Sequence, residues 1–212
     1  LREIIASYLF KDILALEGIR HANKLERLLQ LIAFQIGKEV SHAELATKLG
    51  MSKNTVERYL DLLEKVFVIY RRRGFSRNLR KEVTKNYRYY FYDNGIRNAL
   101  IGNFNPLAIR NDVGELWENY IITERMKRQE YLRLSPDFYF WRTYDKKEID
   151  LVENRNGELH GYEMKWQKTR LKAPRGWEAA YPEASFEVIH QENYLDFITP
   201  RTSKKEFGKN SI

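Results

Sequence analysis

Apolar positions recur every three to four residues in the first part of the chain and every second residue in much of the rest. Ile4, Ile5, Tyr8, Leu9, Ile13 and Leu16 predict a helix over 1–16, ended by Gly18. Leu25, Leu28, Leu29, Ile32 and Phe34 predict a second over 23–35, closed by Gly37. Ser41-His42-Ala43-Glu44 reads as a capping box opening a short helix with Leu45, Ala46 and Leu49 inward. Gly50 turns the chain, and Ser52 caps a helix over 53–65 with Val56, Tyr59, Leu60 and Leu63 inward. Short helix, glycine turn and capped second helix form a helix-turn-helix pattern. Phe67-Val68-Ile69-Tyr70 and the run from Tyr87 to Tyr92 have strand character, so a winged helix with an extended basic wing is expected. Asp93-Asn94-Gly95 opens a short helix through Ile101, and 102–111, with Pro106, reads as a linker and domain boundary.

Beyond it, Val113, Leu116, Trp117, Tyr120 and Ile121 stripe a helix that runs to about Gln129. Glu118 falls at the margin of that stripe and Glu124 inside it, whereas Glu115 points nearly opposite and is expected to be solvated. Phe138 to Arg142 predicts a strand, 176–181 a helix and 185–190 a last strand. The expected architecture is α+β or α/β. A helical winged-helix domain covers 1–101, a mixed-sheet domain covers 112–200, and a polar tail covers 201–212.

The densest signal lies between Glu148 and Trp166, where two alternating segments flank Asn156-Gly157, the dipeptide of a tight hairpin turn. With those two residues at the turn, Arg155 opposes Glu158 and Asp150 opposes Glu163, their side-chain roots roughly 5 Å apart. Lys165 shares that face by the period of two, and Ile149, Leu151, Tyr162 and Met164 are expected on the other. Opposed carboxylates repel, so Asp150 and Glu163 with Lys165 suggest a divalent-metal site. A solvated charged hairpin face is the plainer alternative.

Charge brings in a partner. The net charge is +8, which favours an anion such as nucleic acid. Lys53, Asn54, Thr55 and Arg58 lie in the first turns of the second helix of the helix-turn-helix, where base or phosphate contacts are made. Such units also serve as packing modules. Arg71, Arg72, Arg73, Arg77, Arg80, Lys81, Lys85 and Arg88 make the wing strongly basic, opposed by Glu82 alone, and phosphate contact is its expected role. A further basic run follows Trp166. The chain has no cysteine, which removes thiol chemistry and fits a reducing cytoplasm. No apolar run approaches membrane-spanning length. His21, His42, His160 and His190 lack metal-ligand spacing, and neither a phosphate-binding glycine loop nor a serine nucleophile motif occurs.

The order helix, strand, strand with Asp150, strand with Glu163-x-Lys165, helix, strand resembles the restriction-endonuclease-like, PD-(D/E)XK fold. Ile149 stands where that motif has proline. The resemblance implies an additional acid from the preceding helix, with Glu118 the first candidate and Glu124 the second. Tyr8-Leu9-Phe10-Lys11-Asp12-Ile13, the 41–63 pair, Tyr90-Phe91-Tyr92-Asp93-Asn94-Gly95, Glu118-Asn119 and Glu148-Ile149-Asp150 occur in one order. That order resembles the C-terminal half of a prokaryotic AAA+ ATPase family. The implied protein is a fragment whose ATP-binding domain lies upstream, and the Leu start fits this. The implied activity is hydrolysis of phosphodiesters, and the expected partner is nucleic acid, DNA ahead of RNA. Asp150, Glu163 and Glu118 would hold Mg²⁺ or Mn²⁺, with Lys165 beside the attacking water. The competing expectation is a catalytically inactive binding or regulatory module of the same ATPase.

Overall fold

Helix α1 (Ala22–Phe34) sinks Leu25, Leu28, Leu29 and Ile32 into a helical core, each worth about 1.5–3 kcal/mol of burial. In this computed structural model residues 22–76 and 87–199 are described. The expected helix over 1–16, the wing residues Arg77, Arg80, Lys81 and Lys85, and the tail from Arg201 lie outside the described residues. After β1 (Glu39–Val40), α2 (His42–Leu49) starts where Ser41 Oγ accepts from the Glu44 N–H. Gly50 ends it at φ 56°, a left-handed turn that costs glycine least. α3 (Lys53–Lys65) is capped by Ser52, which accepts from the Thr55 N–H at 3.1 Å. β2 (Ile69–Gly74) and β3 (Tyr87–Phe91) pair antiparallel, and α4 (Asn94–Ile101) is capped by Asp93.

A 3₁₀ turn at Leu107–Ile109 interrupts the expected linker. Then come α5 (Val113–Tyr131), β4 (Asp137–Arg142), β5 (Glu148–Arg155), β6 (Glu158–Met164), α6 (Arg175–Ala180), β7 (Ser185–Ile189) and α7 (Tyr194–Ile198). Among the described residues the fold is mixed α/β, with seven α-helices and one mixed seven-stranded sheet, ordered β1-β3-β2-β4-β5-β6-β7.

That sheet crosses the 102–111 segment without a break. β2 runs parallel to β4 through Arg73↔Tyr139 and Gly74↔Phe140, and the Phe75 N–H extends the ladder to Phe140 O at 2.6 Å. Arg71, Arg72 and Arg73 therefore belong to a strand, where the sequence pattern ends the strand at Tyr70 and puts them in the wing. The strand tolerates them because their stems and guanidinium planes lie on rings: Arg71 on Tyr87, Arg72 on Tyr70 and Phe138, Arg73 on Tyr139.

α5 is welded to the end of β3 by the buried Asn119. Its Oδ1 accepts from the Phe91 N–H at 2.8 Å, and its Nδ2 donates to Phe91 O at 2.9 Å. Asp112, which leads into α5, makes no capping bond; its carboxylate binds Arg97 and Arg110 instead. Those two guanidiniums, with Arg110 foremost, hold it well below the usual carboxylate range against the opposing effect of burial.

The β5–β6 hairpin turns at Asn156 (φ 53°) and Gly157 (φ 95°), and the ladder runs from Arg155↔Glu158 to Leu151↔Tyr162. The faces depart from simple alternation. Between Tyr139↔Val152 and Trp141↔Ile149 the β4–β5 register shifts by one, leaving Asp150 and Leu151 together opposite Phe140. This β-bulge breaks the period of two. Leu151 packs with Trp117, Ile121, Tyr162 and Met164 under α5. Ile149 packs with Val152, Leu159 and Trp177 on the other face, so the expected partnership of Ile149 with Leu151 does not form.

Candidate active site at the end of the sheet

The end of β4, the start of β5 and the ends of β6 and β7 lie at one edge of the sheet, as Arg142↔Glu148 and Met164↔Ile189 show. A cleft of about 560 Å³ opens there. Asp150, Glu163, Lys165 and Glu118 all line it, so four residues singled out from sequence converge. Its opposite wall is the segment Ile36–Glu39 and Arg88, contributed by residues before the 102–111 segment. Six carboxylates and four cations face this space, an acidic balance in a basic chain.

Each acid has a distinct setting. Asp150 is 7% exposed, and its Oδ2 accepts from the Met164 N–H at 2.9 Å. Burial, then the charge of Glu163, push its carboxyl up to about 7, against the pull of Met164, Arg88 and Lys165. Glu163 Oε1 accepts from Lys165 Nζ at 2.7 Å, while its buried Oε2 has no protein partner. Burial draws the Lys165 ammonium toward neutrality, but the bond to Glu163 and the nearby acids outweigh it. Lys165 is held above the ordinary lysine range and stays charged.

Glu118 reaches the cleft from α5, as its place at the stripe margin allows. Its Oε1 accepts from the Tyr90 hydroxyl at 2.8 Å. Burial and then Asp150 push its carboxyl well up, opposed by Arg88 and Tyr90. Glu124 stays outside the cleft, paired with Lys127 at 2.7 Å. Glu115, expected to be merely solvated, lines the rim and pairs with Lys38 at 3.6 Å.

Arg88 is the residue that sequence reading missed. It was counted in the basic wing, yet it is 3% exposed and turned into the cleft. Nη2 donates to Glu148 at 2.5 Å; Nη1 lies 3.7 Å from Asp150 and 4.0 Å from Glu118; the plane stacks on Phe140. Tyr90, Glu118, Glu148 and Asp150 together keep it charged against burial. Alternation along Tyr87–Phe91 was the available signal, because it places Arg88 on the face of Tyr90.

Gly37 completes the wall. At φ +71° it brings backbone so near Glu118 that a Cβ would stand 2.9 Å from Oε1. Among the described residues, no three His, Cys, Asp or Glu side chains are grouped closely enough to hold a metal ion alone.

The residues expected to meet nucleic acid are spread elsewhere. Lys53, Asn54 and Arg58 are exposed on the first turns of α3, with Lys53 paired to Glu57. Thr55 Oγ1 is engaged with Ser52 Oγ. Arg71 is bound to Asp61 and Glu64.

Residues 1–107 match the model of a domain of unknown function, DUF8612, and residues 113–202 match a second, DUF4143. The chain belongs to the DUF8612 family. Uncharacterized protein Rv2008c of Mycobacterium tuberculosis is 30% identical over 169 residues, covering 78% of this DUF8612 chain and 37% of that protein. An uncharacterized protein of Haemophilus influenzae is 25% identical over 161 residues, covering 74% and 37%. This chain thus spans little more than a third of the curated relatives it matches. No solved structure matches it significantly. Among the described residues, no helix is long and apolar enough to cross a membrane.

Proposed function

We propose that this chain acts on nucleic acid and hydrolyses phosphodiesters at the Asp150–Glu163–Lys165 edge of the sheet, with a divalent cation. The observation that carries the reading is the buried, partnerless Oε2 of Glu163 close to an Asp150 carboxyl that burial and then Glu163 push upward. A lone buried carboxylate oxygen is costly, and a cation beside it removes both that cost and the repulsion. Ions of the Mg²⁺ type accept one or two carboxylates and keep several waters, so Asp150 and Glu163 suffice as protein ligands. Such an ion would activate water and neutralise charge on the phosphate. Lys165, charged and bonded to Glu163, is placed to orient that water or the phosphate. Glu118 is tied to Tyr90 and Arg88, so its part is to hold Arg88 in place rather than to ligate. The restriction-endonuclease-like fold, the winged helix of α2, α3, β2 and β3, and an ATPase domain elsewhere in the intact protein belong to this proposal. The length of the relatives leaves room for that further domain.

One observation favours a second reading, a binding module without catalysis. Arg88 stands among Glu118, Glu148 and Asp150, where an internal cation already does part of a metal's work. Titration of labelled DNA and RNA with Mg²⁺ and Mn²⁺ decides. Cleavage that requires metal and vanishes in Asp150→Asn and Lys165→Ala supports hydrolysis. Binding with no cleavage under any divalent ion supports the second reading.

A further inference from the structure

From Met164 to Trp177 the chain carries Lys165, Lys168, Arg170, Lys172 and Arg175 and no acidic residue. The structure gives this run a path. The Lys165 N–H donates to Ile189 O, and Lys168 Nζ pairs with Glu192 at 2.5 Å, anchoring its start beside β7. Its end is anchored beside β4, because a Cβ at Gly176 would stand 3.5 Å from Trp141 and 3.6 Å from Thr143. Between those anchors Ala173 packs against the cluster of Trp141, Ile149 and Trp177. The segment therefore spans the same edge of the sheet that holds Asp150 and Glu163. Lys165 and Trp166, at its start, line the cleft itself.

Lys165 and Lys168 are paired with Glu163 and Glu192, but the segment's other three cations are left unused. Arg71 is bound to Asp61 and Glu64, Arg72 lies against Tyr70 and Phe138, and Arg88 is buried among acids. Arg170, Lys172 and Arg175 are exposed and make no ion pair with any described residue. Arg170 and Lys172 lie on the irregular segment before α6 and Arg175 at its first position; three unpaired cations so close in sequence repel one another, and a polyanion lying along them relieves this with release of counterions.

We propose that residues 168–175 form a cationic strap that holds a nucleic-acid backbone along the sheet edge and leads it into the cleft at Trp166. The inference rests on the phosphodiester reading for its substrate class, but its test does not require cleavage. Binding of fluorescein-labelled 20-nucleotide DNA, single-stranded and duplex, is measured by anisotropy in EDTA over a series of salt concentrations. In Arg170→Ala/Lys172→Ala/Arg175→Ala, affinity is expected to fall by about tenfold or more. The slope of log K against log salt is expected to lose about 2 units on single strands and nearer 3 on duplex, as three phosphate contacts require. A form of DNA whose affinity and salt slope are unchanged in this variant is one the strap does not hold. A charge-preserving Arg170→Lys/Lys172→Arg/Arg175→Lys chain should keep the slope. If the alanine variant, folded by circular dichroism, binds as the parent does while Lys53→Ala/Arg58→Ala weakens binding, the strap is overturned and α3 holds the DNA. Absence of salt-dependent binding in the parent also overturns it. Metal-dependent cleavage, assayed separately, tells whether the phosphodiester reading survives either result.

Discussion

Nη1 of Arg88 lies 3.7 Å from Oδ1 of Asp150, so a cation from β3 stands against an acid from the bulge of β5. The two residues are far apart in sequence and lie on opposite sides of the 102–111 segment. Their meeting makes the cleft a joint product of both parts of the chain.

Arg88→Met is expected to destabilise the protein by about 3 kcal/mol or more, because Asp150 and Glu118 would lose their nearest guanidinium while staying buried. Arg88→Lys should cost less, since it restores charge without the planar fork. Urea unfolding of the three proteins at pH 7.5 checks this. Equal midpoints would mean that the acids are already compensated by other groups.

Asp150 sets a pH dependence. An acid whose folded pKa, about 7, exceeds its unfolded value binds its proton more tightly when folded. Stability therefore falls as pH rises from the unfolded carboxyl range toward about 7 and stays lowered above it. Asp150→Asn removes that penalty, so its melting temperature should exceed the parent's by a few degrees or more (about 3 °C per kcal/mol) at pH 8 and by much less at pH 5. Mn²⁺ should stabilise the parent at pH 8 and leave Asp150→Asn unmoved. A mutant–parent difference independent of pH would show that burial does not hold the Asp150 proton.

Gly37→Ala tests the wall of the cleft. The left-handed backbone costs an L-residue about 1–2 kcal/mol, and the new methyl must displace the Glu118 carboxylate. Thermal melts should show the loss. Gly37→Ala combined with Glu118→Gln should be no better than additive on backbone strain but should lose the charge effects on Arg88. A fully tolerated Gly37→Ala would show that the Ile36–Glu39 segment is free to retreat.

Asn119→Leu preserves side-chain bulk but strips the acceptor from the Phe91 N–H, while Phe91 O still accepts from Thr123 Oγ1 at 3.3 Å. Leaving the buried N–H unmade costs about 1–3 kcal/mol. Hydrogen exchange of the Phe91 amide should accelerate well beyond neighbouring β3 amides. Unchanged protection would mean that β3 is closed by other contacts.

Local chemistry made much of this protein legible in its residues. Ser41, Gly50 and Ser52 place the ends of α2 and α3, since caps and left-handed turns depend on a few neighbouring atoms. Asn156-Gly157 sets the β5–β6 register for the same reason, and that register brings Asp150, Glu163 and Lys165 to one end of the hairpin. Helical spacing brought up Glu118 and Glu124 together, and only the fold turns Glu118 into the cleft and leaves Glu124 paired with Lys127 outside it.

Non-local contacts decided the rest. The parallel pairing of β2 with β4 joins strands from either side of the 102–111 segment, and no periodicity announces such a partner. The bulge at Asp150 and Leu151 exists only relative to β4, so the alternation of β5 read alone assigns Ile149 to the wrong face. Arg71, Arg72 and Arg88 look like one basic wing in the sequence, but pairing with acids and rings consumes them, and Arg88 ends inside the cleft. Charge in a sequence counts ions; only the folded chain determines which of them have already been neutralised, because that depends on distances of a few ångströms between residues far apart along the backbone.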